Sequence, residues 1–201
     1  MREIKFGKFR ISLPFVLLIC LMVVLDENYI FITTFFAILI HELAHIAAVR
    51  ICGGKIDGVD VRVFGIRINV PELKFLSYKK EIIIAAAGPV AGIIAAISGA
   101  AAAGVFGLKN TEYFVGVNVV ITAINLIPVF PLDGGRITLS LLLLLFPVRA
   151  AYVISYILSI FSIAALFSLC VFLAMHGILN PSLVIFSIYV AVCGIRLRPL
   201  L

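Results

Sequence analysis

Six long apolar runs, parted by short polar breaks, organise this chain: residues 11–25, 29–49, 82–106, 113–129, 150–175 and 178–195. A helix crosses the roughly 30 Å hydrocarbon core of a bilayer with about 20 apolar residues. The pattern therefore predicts six transmembrane helices. The third run is rich in Ala and Gly, which lets neighbouring helices approach closely. "RITLSLLLLLF", residues 136–146, is apolar but too short to cross, and predicts a short re-entrant helix after the fourth span. One stretch has a different period. "VDVRV" and "IRINV" alternate apolar and polar positions around Phe64-Gly65. With those two residues as the turn, Val63 faces Ile66, Val61 faces Ile68 and Val59 faces Val70. Asp60, Arg62, Arg67 and Asn69 then make a polar face, with Arg62 opposite Arg67. This is a membrane-associated β-hairpin after the second span. The expected fold is an α-helical polytopic membrane protein carrying that hairpin and the re-entrant helix.

Composition agrees with the pattern. The chain has 201 residues, 64% hydrophobic and 13% charged, where a soluble domain is nearer half apolar and a quarter charged. The expectation is a single membrane-embedded domain over 1–201. Cys20, Cys52, Cys170 and Cys193 form no CxxC pair and read as small packing residues. The first run lacks a cleavage site and is expected to be retained.

The net charge of +6 comes from basic residues between apolar runs, which suits anionic lipid and not nucleic acid. Placing Lys and Arg on the cytoplasmic side leaves only Lys109, of sixteen, outside. Both termini are then cytoplasmic.

The second run ends in "ILIHELAHIAAVR", with His41, Glu42 and His45 in a span where ionisable groups are costly. Two histidines four apart share a helix face. They can both reach one Zn²⁺, with Glu42 placed to take a proton from water at the metal. The competing reading is a buried histidine pair satisfied by ordinary hydrogen bonds. A hydrolytic zinc has three protein ligands and one open position. Asp133, in "NLIPVFPLDGGR", is a candidate third ligand at the same inner depth; it could equally be a helix-start cap. His176 falls on the far side of the bilayer. Pro128 and Pro131 break the fourth helix. Asn118, Thr122 and Asn125 form a polar stripe towards that break, read as a path for water or as interhelical glue. Asn125, nearest the presumed metal, could hold a substrate backbone. Ile66 and Ile68 lie on the strand expected to offer an open edge to substrate.

HELAH in an early span, "AAGP" at residues 86–89 and NxxPxxPLDGG together resemble the site-2 protease family of intramembrane zinc metalloproteases. "NLIPVFPLDGGR" and "VFGIRINV" look closest to its sporulation branch, which removes the pro-sequence of a sporulation sigma factor, pro-sigma-K. The resemblance implies His41, His45 and Asp133 as zinc ligands and Glu42 as general base. It implies that Asn125 and Pro128 shape the substrate site, faced by Gly88 and Pro89. It implies a membrane-associated protein substrate, membrane partner proteins that inhibit the enzyme, and an active site open to the cytoplasm. Neither the PDZ domain of one branch nor the CBS domain of the sporulation branch is expected here. The alternative function is a metal ion transporter or metal-binding membrane protein, since broken helices and intramembrane acids also suit transport. A purely structural role would leave His41, Glu42, His45 and Asp133 unexplained.

Overall fold

A computed structural model describes residues 3–6, 9–12, 30–54, 57–62, 65–69, 77–106, 111–178 and 181–195. Among these residues six helices follow one another: α1 Ile30–Ile51, α2 Tyr78–Phe106, α3 Thr111–Asn125, α4 Asp133–Leu145, α5 Val148–Met175 and α6 Pro181–Ile195. Four strands, β1 Glu3–Phe6, β2 Phe9–Ser12, β3 Gly58–Arg62 and β4 Gly65–Asn69, form one sheet in the order β1-β2-β3-β4.

Among the described residues α1, α2 and α5 are long and apolar enough to cross a membrane. Their outward faces carry large apolar side chains such as Ile94, Ile97, Phe161 and Phe172. Apolar surface of that extent calls for an apolar surrounding phase. These helices support an integral membrane protein. α3 and α6 have 15 residues each, about 22 Å of helix. Of the first expected span, 11–25, residues 13–25 lie outside the described residues. Its expected start is corrected: Ile11 and Ser12 belong to β2. "EIKF" and "FRIS" alternate with period two, and that strand signal outweighs continuity with the apolar run behind them.

α2 is the centre of the bundle. It packs against α1, α3 and α4, while α4 leads out to α5 and α5 to α6. Small residues make this possible. A Cβ at Gly88 would overlap Nε2 of His41 and of His45, and a Cβ at Gly92 would overlap Thr122 Oγ1. At Gly99 it would lie 2.9 Å from the Phe114 ring. One glycine-bearing ridge thus admits α1 at one end and α3 at the other.

α1 stops in a Schellman turn. Gly53 takes φ +85, its N–H donates to Arg50 O and that of Gly54 donates to Val49 O. Lys80 Nζ donates to Cys52 O at 2.8 Å, so the start of α2 caps the end of α1. Beneath it Ala48, Val49, Cys52 and Ile84 form a small apolar core.

The segment 126–132 breaks the chain between α3 and α4. Val129 is fully buried, and Ser159 Oγ of α5 donates to Pro128 O at 3.1 Å. Irregular backbone at membrane depth is tolerated when protein encloses it in this way. A Cβ at Gly134 or Gly135 would collide with the backbone of 126–130, so glycine lets α4 start against the break.

The strand register needs a correction. β3 and β4 pair antiparallel with Val59 opposite Ile68, Val61 opposite Ile66 and Arg62 opposite Gly65. Gly65 is therefore the first paired residue of β4 and not a turn residue. Asp60, not Arg62, lies opposite Arg67, and an opposite-charge pair is the favoured cross-strand combination. Val63, Phe64 and Val70 lie outside the described residues. β3 also pairs in parallel with β2, Val61 opposite Ile11.

Candidate metal centre

His41 and His45 stand one turn apart in the second half of α1, both more than nine-tenths buried. Asp133 opens α4 and is 7% exposed. Asp133 Oδ2 lies 3.0 Å from His41 Nε2 and 3.1 Å from His45 Nε2, and the two Nε2 atoms are 3.2 Å apart. Three side chains from two distant segments thus aim one ligand atom each at a common point. Among the described residues they are a set that could hold a metal ion.

The donor chemistry fits a cation. His45 Nδ1 lies 2.7 Å from Ile84 O. A carbonyl only accepts, so Nδ1 carries the proton and Nε2 presents its lone pair to the cluster. That lone pair faces a carboxylate oxygen across 3.1 Å. A positive centre resolves this crowding of electron-rich atoms, and a histidine oriented through its other ring nitrogen is typical of a metal ligand. Zn²⁺ takes this N₂O donor set. His41 Nδ1 is buried with no partner among the described residues.

Asp133 does not act as a helix cap. Leu132 occupies the cap position, with φ −68 and ψ 159, and no side chain caps the helix. The carboxylate turns to the histidines instead. Its second oxygen, Oδ1, faces Arg136 Nη1 at 3.7 Å. Arg136 Nε and Nη2 donate to Glu81 Oε1 at 3.0 and 2.8 Å.

Glu42 is half-buried on α1, within electrostatic reach of His41, His45, Asp133 and Arg136. Gly88 forms the wall of α2 against the histidines, with Pro89 buried beside it. Asn125 is half-buried, and its Nδ2 donates to Ile121 O within its own helix. Asn118 likewise donates to Phe114 O, and Thr122 Oγ1 is buried with no partner among the described residues. Asn118 and Thr122 of the polar stripe therefore lie inside the packing, Asn125 is only half-buried, and both amides bond within α3 itself. Pro128 belongs to the enclosed break. Ile66 and Ile68 are on β4, at an edge of the sheet. His176 caps the end of α5, its Nδ1 2.9 Å from Phe172 O, apart from the cluster.

Sequence reasoning missed Glu81 and Arg136. Arg136 counted only as a topological charge. The available signal was Glu81, an acid at the head of "EIIIAAAGP".

No family model matches the chain. Over 117 residues it is 31% identical to stage IV sporulation protein FB of Bacillus subtilis (strain 168), a stretch that is 57% of this chain and 41% of that protein. The chain therefore spans less than half the length of this curated relative. Among solved structures it shares the fold of the site-2 protease from Methanocaldococcus jannaschii. The TM-score is 0.64 at 20% identity, covering 97% of this chain and 94% of that one. The chain is thus similar in sequence to part of the one protein and shares the fold of the other.

Proposed function

We propose that this chain is an intramembrane zinc metalloprotease that hydrolyses a peptide bond in a membrane-associated protein. The observation that carries the reading is the convergence of His41 Nε2, His45 Nε2 and Asp133 Oδ2 within 3.2 Å of one another, with Glu42 beside them. His41, His45 and Asp133 would hold the metal. Bound zinc supplies Lewis acidity for the scissile carbonyl and lowers the pKa of water to about 7. Glu42 takes the proton from the attacking water and returns it to the leaving amine. Asn125 offers its amide oxygen to an unwound substrate backbone, since its amide nitrogen is already bonded to Ile121 O. Gly88, Pro89 and Pro128 shape the wall, and Ile66 and Ile68 on β4 receive the substrate strand.

The similarity to a sporulation protein favours a sigma-factor precursor of the pro-sigma-K type as substrate. The same similarity favours a bacterial inner (cell) membrane, and the basic loops favour both termini and the site opening to the cytoplasm. The test is Glu42→Gln. This variant keeps its zinc and stops cleaving a sigma-factor precursor co-expressed with it. Normal cleavage removes Glu42 from the mechanism. Normal metal transport across vesicles by the same variant favours the transporter instead.

A further inference from the structure

The two oxygens of Asp133 face different neighbours. Oδ2 points at the histidines, at 3.0 and 3.1 Å, while Oδ1 points at Arg136 Nη1, at 3.7 Å. Arg136 sits one turn further along α4. Its guanidinium is fixed from behind, because Nε and Nη2 both donate to Glu81 Oε1 in the first turn of α2. A guanidinium is a rigid planar fork, so fixing two of its donors also fixes where the third nitrogen points. The two side chains are 25% and 21% exposed, which shields the pair from much of the screening that weakens surface ion pairs.

Asp133 has no cap bond to hold its carboxylate in plane. The last torsion of a carboxylate side chain is broad and two-fold, so its orientation comes from its neighbours. The histidines hold one oxygen, and the Arg136 charge attracts the other from ion-pair distance. We propose that Arg136, braced by Glu81, is a positioning residue that presents Asp133 Oδ2 to the metal shared with His41 and His45. This rests on the metal reading of the site. Partners behind a ligand commonly set metal affinity by 10–100-fold.

The experiment uses the full chain in detergent, titrated with Co²⁺ while its visible d–d absorption and its thermal unfolding are followed. Arg136→Gln is expected to weaken Co²⁺ binding by about tenfold and to shift the absorption band. Arg136→Lys, which keeps the charge but not the fork, recovers part of that loss. The decisive variant is the swap, Glu81→Arg with Arg136→Glu. It restores an ion pair between α2 and α4 but sets a carboxylate against Asp133 Oδ1. Thermal stability returns towards wild type, while Co²⁺ affinity stays at least about tenfold down. If the swap recovers both, the pair is only a helix tie and the proposal is overturned. If the swapped protein does not accumulate, the single variants decide: equal Co²⁺ affinity in Arg136→Gln and Arg136→Lys overturns it, and so does wild-type affinity in Arg136→Gln. A wild type with no His41-dependent Co²⁺ absorption instead brings down the metal reading itself.

Discussion

His45 Nδ1 donates to the carbonyl of Ile84 at 2.7 Å, tying the second half of α1 to the second turn of α2. That bond decides which nitrogen of His45 is free to bind a metal. The same two turns of α2 carry Lys80, bonded to Cys52 O at the end of α1, and Glu81, bonded to Arg136 of α4. The start of α2 is thus a brace for both segments that bring a candidate ligand atom to the site. It contributes no ligand of its own.

The ligands and the base separate experimentally. His41→Ala, His45→Ala and Asp133→Ala each remove one of three donors and are expected to lower zinc content well below one equivalent. Glu42→Gln retains full occupancy. Elemental analysis of the purified variants checks this. Full zinc in His41→Ala would place the metal elsewhere.

The glycine wall is equally testable. Gly88→Ala drives a Cβ into both Nε2 atoms and forces α2 away from α1. Overpacking of this kind costs about 1–3 kcal/mol, and here it also displaces the ligands, so both melting temperature and zinc content fall. Gly104→Ala in the same helix meets nothing within 4 Å. It should be neutral or stabilising by up to about 1 kcal/mol. Equal behaviour of the two variants would show that the close approach at Gly88 does not matter.

Metal removal links binding to folding. A ligand held only by the folded state stabilises it by about 2.7 kcal/mol at 100 times its Kd. Chelator is therefore expected to lower the melting temperature of the wild type, with recovery on adding Zn²⁺. Asp133→Ala should melt at one temperature with or without chelator. A wild type that melts unchanged after proven zinc removal contradicts the reading.

The membrane topology has its own test. With the native cysteines replaced, an impermeant thiol reagent added outside should label cysteines placed at Asn28, Asn110 and Asn180. It should spare those placed at Lys79 and Arg149 if the proposed orientation, with the positive charges inside, holds. Outside labelling at Lys79 would invert the arrangement.

Local periodicity made the helices and the His41/His45 pair legible, because i and i+4 share a face whatever the tertiary structure. Asp133 was legible by depth, as an acid among apolar residues. Its helix starts earlier than the 136–146 run implies, because Gly134 and Gly135 look like breakers until their contact with 126–130 is seen. β1 and β2 were hidden because Lys5 and Arg10 drew attention as charges, masking the alternation around them. The Glu81–Arg136 pair spans 55 residues, and no local pattern announces a contact between segments so far apart.

The register of β4 sharpens how substrate would be held. A peptide bond inside a helix must be unwound before attack, and its freed N–H and C=O groups then need partners near lipid. Among the described residues β4 lies at an edge of the sheet, and a free strand edge supplies such partners. Arg62 pairs with Gly65 across a two-residue connection. In that class of hairpin the closing pair is hydrogen-bonded, and bonded pairs then alternate with unbonded ones. Arg67 therefore bonds inward to β3, while the backbone N–H groups of Ile66 and Ile68 point to the open side. Proline at an outward position removes a donor and leaves the pairing in place. Ile68→Pro is expected to cut cleavage of a membrane-bound precursor at least about tenfold, the loss of an anchoring hydrogen bond and its neighbours, with zinc content unchanged. Arg67→Pro should disturb the hairpin itself and show up as increased proteolytic nicking of the 55–76 loop. Full activity in Ile68→Pro would leave the hairpin as an interfacial anchor with no part in holding substrate.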